Sequence, residues 1–253
     1  MKVHAIAVNT FKEVIRDKIF YSLVFFALLI LGASVLLSTL TLGEQSKIIE
    51  DLSLAGTNVF GVVIAIFVGI GLVNKELEKK TIYTIISKPI RRWQFLLGKY
   101  LGLALTLLVY TAVMAACFLL VLYVYLGVWA PALLKAVLLI YAELLVITAS
   151  AILFSTFSTP TLSATYTLAI YVIGNLTTDL KDLAARTGGA AKFLLESLYY
   201  LLPNLQNFNI KSQVVHGIPV QPGYLFMALA YGLLYVMGLL ALAALVFERR
   251  NFK

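Results

Sequence analysis

The sequence predicts an all-α integral membrane protein, and three observations carry that prediction. The chain is 61% hydrophobic and only 13% charged, and its mean hydropathy of +0.95 is far above what a water-exposed domain carries. Its apolar residues gather into runs long enough to cross a hydrocarbon core, which takes about 20 helical residues at about 1.5 Å rise each. Lipid offers no partner to an open backbone amide, so such runs are helices, and they are too long for barrel strands of about 9–11 residues.

Six runs are expected to cross, at residues 21–42, 54–73, 101–128, 133–156, 161–175 and 224–247, within a single permease-like domain over 1–253. The fifth is the shortest. The basic residues divide unevenly between the connections: fourteen of the twenty Lys and Arg lie before the first run, between the second and third, or after the sixth, and six lie on the other side. By the positive-inside rule both termini and the 74–100 loop face the cytoplasm, which places the chain in the inner membrane, and the basic tail requires an even number of crossings. A pI near 9.5 would suit nucleic acid in a soluble protein; here the charge serves topology, and no nucleic-acid partner is expected.

One cysteine, Cys117, excludes an internal disulfide framework, and two histidines, His4 and His216, do not build a metal site by themselves. No metal ligand set is expected. Residues 1–20 lack the short apolar core and small-residue cleavage site of a signal peptide and are expected to stay attached. Val8, Phe11, Ile15 and Ile19 recur at helical spacing opposite Asn9, Lys12, Glu13 and Arg16, which suits an amphipathic helix in the cytoplasmic headgroup layer. A plain basic anchor for the first span explains the same charges.

The 74–100 loop holds seven of the twenty basic residues. Glu76 and Glu78 read as the first turn of a short helix, where they complement its positive end. Ile82, Ile85 and Ile86 form an apolar strip, and Pro89 stops the helix by restricting Lys88 and removing a donor. Ile90, Trp93, Leu96 and Leu97 restart an apolar pattern, with Arg91, Arg92 and Lys99 near phospholipid phosphates. An ordinary solvated basic loop with an interfacial Trp accounts for the same composition.

The pattern Glu76-x-Glu78-x-x-Thr81, then Ser87-x-Pro89-x-x-Arg92, then Gly98-Lys99, set between a second and a third span, resembles the permease subunits of type-2 ABC transporters. Within them it looks closest to the permeases of multicopper-enzyme maturation, such as nitrous-oxide reductase assembly. The resemblance implies a coupling helix that docks on a separate ATPase subunit through Glu76, Glu78, Thr81, Ile82, Ile85, Ile86, Pro89 and Arg92. It implies a smaller second contact at residues 156–161, and a dimer, most simply a homodimer with two ATPase copies. This chain is expected to bind no cofactor itself, with ATP and Mg held by the partner. Gly98-Lys99 is not a phosphate-binding loop, since Trp93 stands where its first glycine belongs and Tyr100 where Ser or Thr would hold magnesium. Gly98 with Gly102, and Gly61, Ala65 and Gly69, are candidate close-packing faces, within one subunit or between two.

Glu143 is the acidic residue set deep in a predicted span, where a charge costs several kcal/mol. It belongs either to the translocation path or subunit interface, or to a carboxyl bonded to a neighbouring helix. Residues 176–223 are too long for a turn. Two helices are expected there, one from Asp179 to Gly188 and one closed by Pro203, with Phe193, Leu194, Leu198 and Leu201 burying against the outer mouth as an external gate or as the seat of an extracytoplasmic protein. A structural lid lying on the membrane is the alternative reading. An ATP-independent channel or a lipid-modifying enzyme is the competing function class. The nearest thing to its catalytic pair, Asp179 with Asp182, reads better as a solvated helix start.

Overall fold

The computed structural model describes residues 2–40, 44–78, 91–187 and 189–249, except the side chains of 73–78, 190 and 194. Every regular element among them is helical: α1 (Lys2–Ile15), α2 (Lys18–Ser38), α3 (Gln45–Glu78), α4 (Arg92–Leu126), α5 (Leu133–Ser155), α6 (Pro160–Asn175), α7 (Thr177–Arg186), α8 (Gly189–Leu201), a 3₁₀ turn at Leu205–Phe208, α9 (Lys211–Val215) and α10 (Pro222–Arg249). Five of these, α2, α3 as far as Leu72, α4, α5 and α10, are long and apolar enough to cross a membrane. The expected span at 161–175 is helical too, but α6 has only 16 residues, or about 24 Å, short of a full crossing.

The boundaries have local causes. Asp17 accepts a hydrogen bond from the Ile19 amide at 2.9 Å and opens α2 directly after α1. α4 starts nine residues before the expected span because Gln94 reaches back to the Arg91 amide at 3.3 Å. It ends on Gly127, whose φ of +66° lets its amide bond Tyr123 O while Val128 N bonds Leu122 O. α6 opens on Pro160, whose missing N–H costs nothing at a first helical position.

α5 is the centre of the bundle. Ala142, Ala149, Ala151, Thr148 and Ser150 are all buried, and the two hydroxyls bond to their own helix at Leu144 O and Val146 O. These small or self-satisfied side chains let α3, α4, α6 and α10 close around α5. α2 and α10 keep most of their apolar surface outward, with Phe25, Leu36, Phe226 and Leu233 exposed, as helices facing hydrocarbon do.

At one end of the bundle, α1, the start of α4 and the finish of α10 form a collar, so both termini lie at the same end. Phe95 stacks on Phe247 with ring centroids 6.4 Å apart. The stripe of α1 that docks is Ala7, Thr10 and Val14, about a quarter-turn from the Val8, Phe11 and Ile15 face expected to be its apolar side. Gly102 brings the α4 backbone close against this stripe, where a Cβ would sit 2.6 Å from Ala7 O, while Gly98 makes room for the larger Ile6, whose Cβ and Cγ2 would lie 2.7 Å from an added Cβ. The second glycine series is also used inside the subunit, with Gly61 facing Leu144 and Gly69 facing Leu103 and Ala151.

At the far end the chain folds back into the bundle. Asn175, the last residue of α6, bonds Glu143, and Glu143 lies ten residues below the start of α5, so α6 stops about 15 Å short of the α5 end. The segment that follows occupies this missing depth. Three tyrosines along one face of α10 hold it: Tyr224 Oη donates to Asn207 O at 2.9 Å, Tyr231 Oη accepts from the Asn204 amide at 2.8 Å, and Tyr235 Oη donates to Leu201 O at 2.9 Å. Asn204 Oδ1 also accepts from Thr177 Oγ1 at 2.7 Å and Gln206 N at 3.1 Å. Residues 201–207 are thus packed along α10.

Candidate functional site

Two constellations carry chemistry, one at each level of the bundle. The first is a polar cluster in the apolar interior. Asn58 on α3 stands on one helical face with Gly61 and Ala65, and that face is pressed on α5. Its Nδ2 donates to Glu143 Oε2 at 2.9 Å, and Asn175 Nδ2 donates to Glu143 Oε1 at 3.2 Å and to Tyr171 O at 3.0 Å. Glu143 is 1% exposed. Both carboxyl oxygens thus accept from amides on two other helices, so Glu143 ties α3, α5 and α6 together. Asn58 Oδ1 is buried and has no partner among the described residues.

Lys211 opens α9, which packs on α3 and α5 at the far end. Burial pushes its ammonium below the usual lysine range, and the carboxyl groups of Glu143 and Asp51 act in the opposite direction. Asp51 lies seven residues before Asn58, two turns along the same face of α3. Nearer the rim, Lys47 Nζ bonds Glu44 Oε1 at 2.7 Å and holds that carboxyl below the ordinary range, helped by nearby His216. Asn58, Asn175, Asp51 and Lys211 were all missed by sequence reasoning. The two asparagines carried a usable signal, since an amide inside an apolar run needs a partner.

The second constellation is the collar beside the basic loop. Arg92, the first residue of α4, donates from Nη1 to Phe247 O at 2.9 Å and Glu248 O at 3.2 Å and lies over the Phe247 ring at 6.0 Å. It thereby binds the end of α10, where cations are favoured. Lys99 was expected near lipid phosphates, but it is 2% exposed, donates to Glu13 Oε2 at 3.4 Å and lies 5.7 Å over the Phe95 ring. Burial against α1 removes it from the headgroups. Glu76 and Glu78 do not open a separate short helix; they lie within α3, whose described part runs unbroken to Glu78, 73–78 containing neither glycine nor proline.

The remaining docking residues, Thr81, Ile82, Ile85, Ile86 and Pro89, lie outside the described residues. Of the gate residues, Phe193 and Leu201 are 75% and 74% exposed, so they do not bury against the bundle. α8 packs on α7 and turns these side chains outward. Leu198 is partly buried, and the Leu194 side chain lies outside the described residues. The connection between α5 and α6 is a tight exposed tip, closed by a 2.7 Å bond between Ser158 Oγ and Ser163 Oγ. Asp179 and Asp182 are both exposed. Between α3 and α6 runs a groove of about 530 Å³. Val62, Ile66, Phe67, Ile70, Ala164 and Leu168 line it, and none of its lining side chains is ionisable.

Five long apolar helices in a bundle centred on α5, with a buried polar tie at Glu143, define a multi-pass helical membrane protein. The family model described as ABC-2 family transporter protein matches residues 4–252, and the chain belongs to that family. It is thus a permease component of an ABC transporter. No curated protein matches the chain.

Proposed function

We propose that this chain couples ATP hydrolysis by a separate subunit to export, or to mechanical work on an extracytoplasmic partner. The observation that carries the reading is the family match over residues 4–252 together with the way the basic loop is mounted. The loop leaves an unbroken α3 and enters an α4 whose first residue is fastened to the end of α10. A push on such a loop moves three helices rather than one. Glu76, Glu78, Thr81, Ile82, Ile85, Ile86, Pro89 and Arg92 are the proposed docking set, with Arg92 acting from within the collar.

The uneven Lys and Arg count supports the rest of the assignment. Both termini face the cytoplasm and the membrane is the cytoplasmic one. The short α6 counts as a sixth pass, completed by the folded-back segment, in a single permease domain over 1–253. ATP and Mg belong to two copies of the partner, and the permease pairs with a second copy, symmetric pairing being the commonest assembly. The glycine faces at 98/102 and 61/69 are filled within the subunit, so a homodimer would use other surfaces. The multicopper-enzyme-maturation group remains the proposed subgroup, with no cargo implied.

Affinity-tagged chain purified from its native membrane is expected to bring an ATPase subunit with it. Ile82→Asp, Ile85→Asp and Ile86→Asp should each lower that yield about 30-fold, the effect of losing a contact worth about 2 kcal/mol, while the chain stays in the membrane. Undiminished ATPase recovery from all three variants would refute docking at the loop, and absence of any ATPase from the parent preparation would refute the coupled mechanism.

A further inference from the structure

The polar cluster around Glu143 is only partly used. Glu143 accepts two hydrogen bonds, whereas a carboxylate offers about four lone-pair positions. Asn58 Oδ1, on a residue 2% exposed, has no donor among the described residues. The helix α9 packs on α3 and α5, and its first residue, Lys211, has donors to give: it feels the charge of Glu143 and Asp51, yet its three N–H groups form no ion pair or hydrogen bond with the described residues. α9 is held by apolar residues, since Val214 and Val215, with Ile210 just before the helix, are buried and α9 packs on α3 and α5. Lys211 is therefore presented to the cluster by packing that does not itself need the charge. Retaining a half-buried lysine there costs desolvation, which an aliphatic residue would avoid.

We propose that Glu143 and Asn58 Oδ1 form a seat for an ammonium group, with exposed Asp51 adding negative charge at its approach, that Lys211 is the tethered group that enters it, and that seating Lys211 latches the 202–221 segment onto the spans. With Lys211 seated, a charge-assisted hydrogen bond links the far-end segment to the residue that already joins α3, α5 and α6. With it withdrawn, α9 is retained by apolar contacts alone and opens more readily. The arrangement couples the interior, where helix shifts would displace Glu143, to the far end, where α9 closes the bundle. This goes beyond the permease reading and rests on it only for the direction of use.

The test reads opening of α9 and requires no transport. In a Cys117→Ser background, Val215→Cys places a buried thiol on α9, and its rate of modification by a hydrophilic maleimide is measured for the full chain in lipid nanodiscs. Lys211→Met and Glu143→Gln should each raise the rate about five- to thirtyfold. The double variant should be no faster than the faster single one, because both remove the same contact, and Lys211→Arg should stay near the parent rate. Parent-like rates in both single variants, or independent effects that multiply in the double variant, would overturn the latch. If Glu143→Gln fails to assemble, Lys211→Met and Asp51→Asn decide, and parent-like rates in both overturn it. Either failure would leave the permease assignment untouched.

Discussion

Gly102→Val drives α1 off α4. A Cβ at this position meets Thr10 Cβ at 2.5 Å and Ala7 O at 2.6 Å, and neither can rotate away: one is fixed to the helix and the other is main chain. Even alanine would have to push α1 outward, and valine adds two further methyl groups against Thr10, which is fully buried. Overpacking of this kind costs about 1–3 kcal/mol, against which the better helix propensity of a residue other than glycine returns only about 0.5 kcal/mol. The expected net loss is about 2 kcal/mol, seen as a fall of about 4–8 °C in the unfolding temperature of the purified chain and as loss of amide protection over residues 2–15 before any other helix. Lys99 loses its partner Glu13 in the same event, which adds to the cost. Gly71→Ala is the matched control. A Cβ there meets nothing within 4 Å, so the substitution is expected to raise stability by about 0.5–1 kcal/mol through propensity alone. Equal effects from the two glycines would show that α1 is not docked as described.

Gly174→Val acts at the other end of the bundle and is expected to lift the folded-back segment. The added Cβ meets Pro203 O and Leu205 Cγ, both at 2.8 Å. Leu205 is fully buried and the carbonyl is main chain, so relief comes from moving residues 203–205 as a piece. That movement strains the Asn204 node, where Thr177, Gln206 and Tyr231 converge. A loss of about 2–3 kcal/mol is expected. Hydrogen exchange should show residues 203–208 opening first, while the core of α5 keeps its protection. Uniform loss of protection through α5 would contradict the view that this segment is a layer added to a bundle already closed.

The two glycines were legible in different degrees, and the difference is instructive. Gly98 and Gly102 stand four apart on a predicted helix, a spacing that announces close approach of another helix. What approached was not announced: α1 came from the same chain, and it docked by Ala7, Thr10 and Val14 rather than by the larger apolar face that its periodicity advertised. Gly174 carried no pattern at all, since its neighbours in space lie some thirty residues away in a segment of irregular structure. Glu143 was found from sequence because a carboxyl in an apolar run is costly wherever it lies. Its hydrogen-bond partners Asn58 and Asn175 lie on two other helices, and only the bundle brings them to it. Lys99 was misread for the related reason that a basic residue beside lipid-facing sequence looks interfacial until a neighbouring helix covers it.

The sequence by itself determined the membrane environment, the helical class, the approximate position of each long helix and the concentration of positive charge around one loop. These follow from the free energy of burying apolar side chains and backbone amides in hydrocarbon, which is a sum over neighbouring residues and needs no knowledge of the fold. Only the tertiary structure decided which helix faces touch, that α6 stops at Glu143, that the segment after it descends along the α10 tyrosines, and that Arg92 and Lys99 are bound inside the collar. In lipid, one apolar face is as well solvated as another. The choice among faces is left to close steric fit and a few polar contacts between residues far apart in the chain, and those exist only once the helices have met.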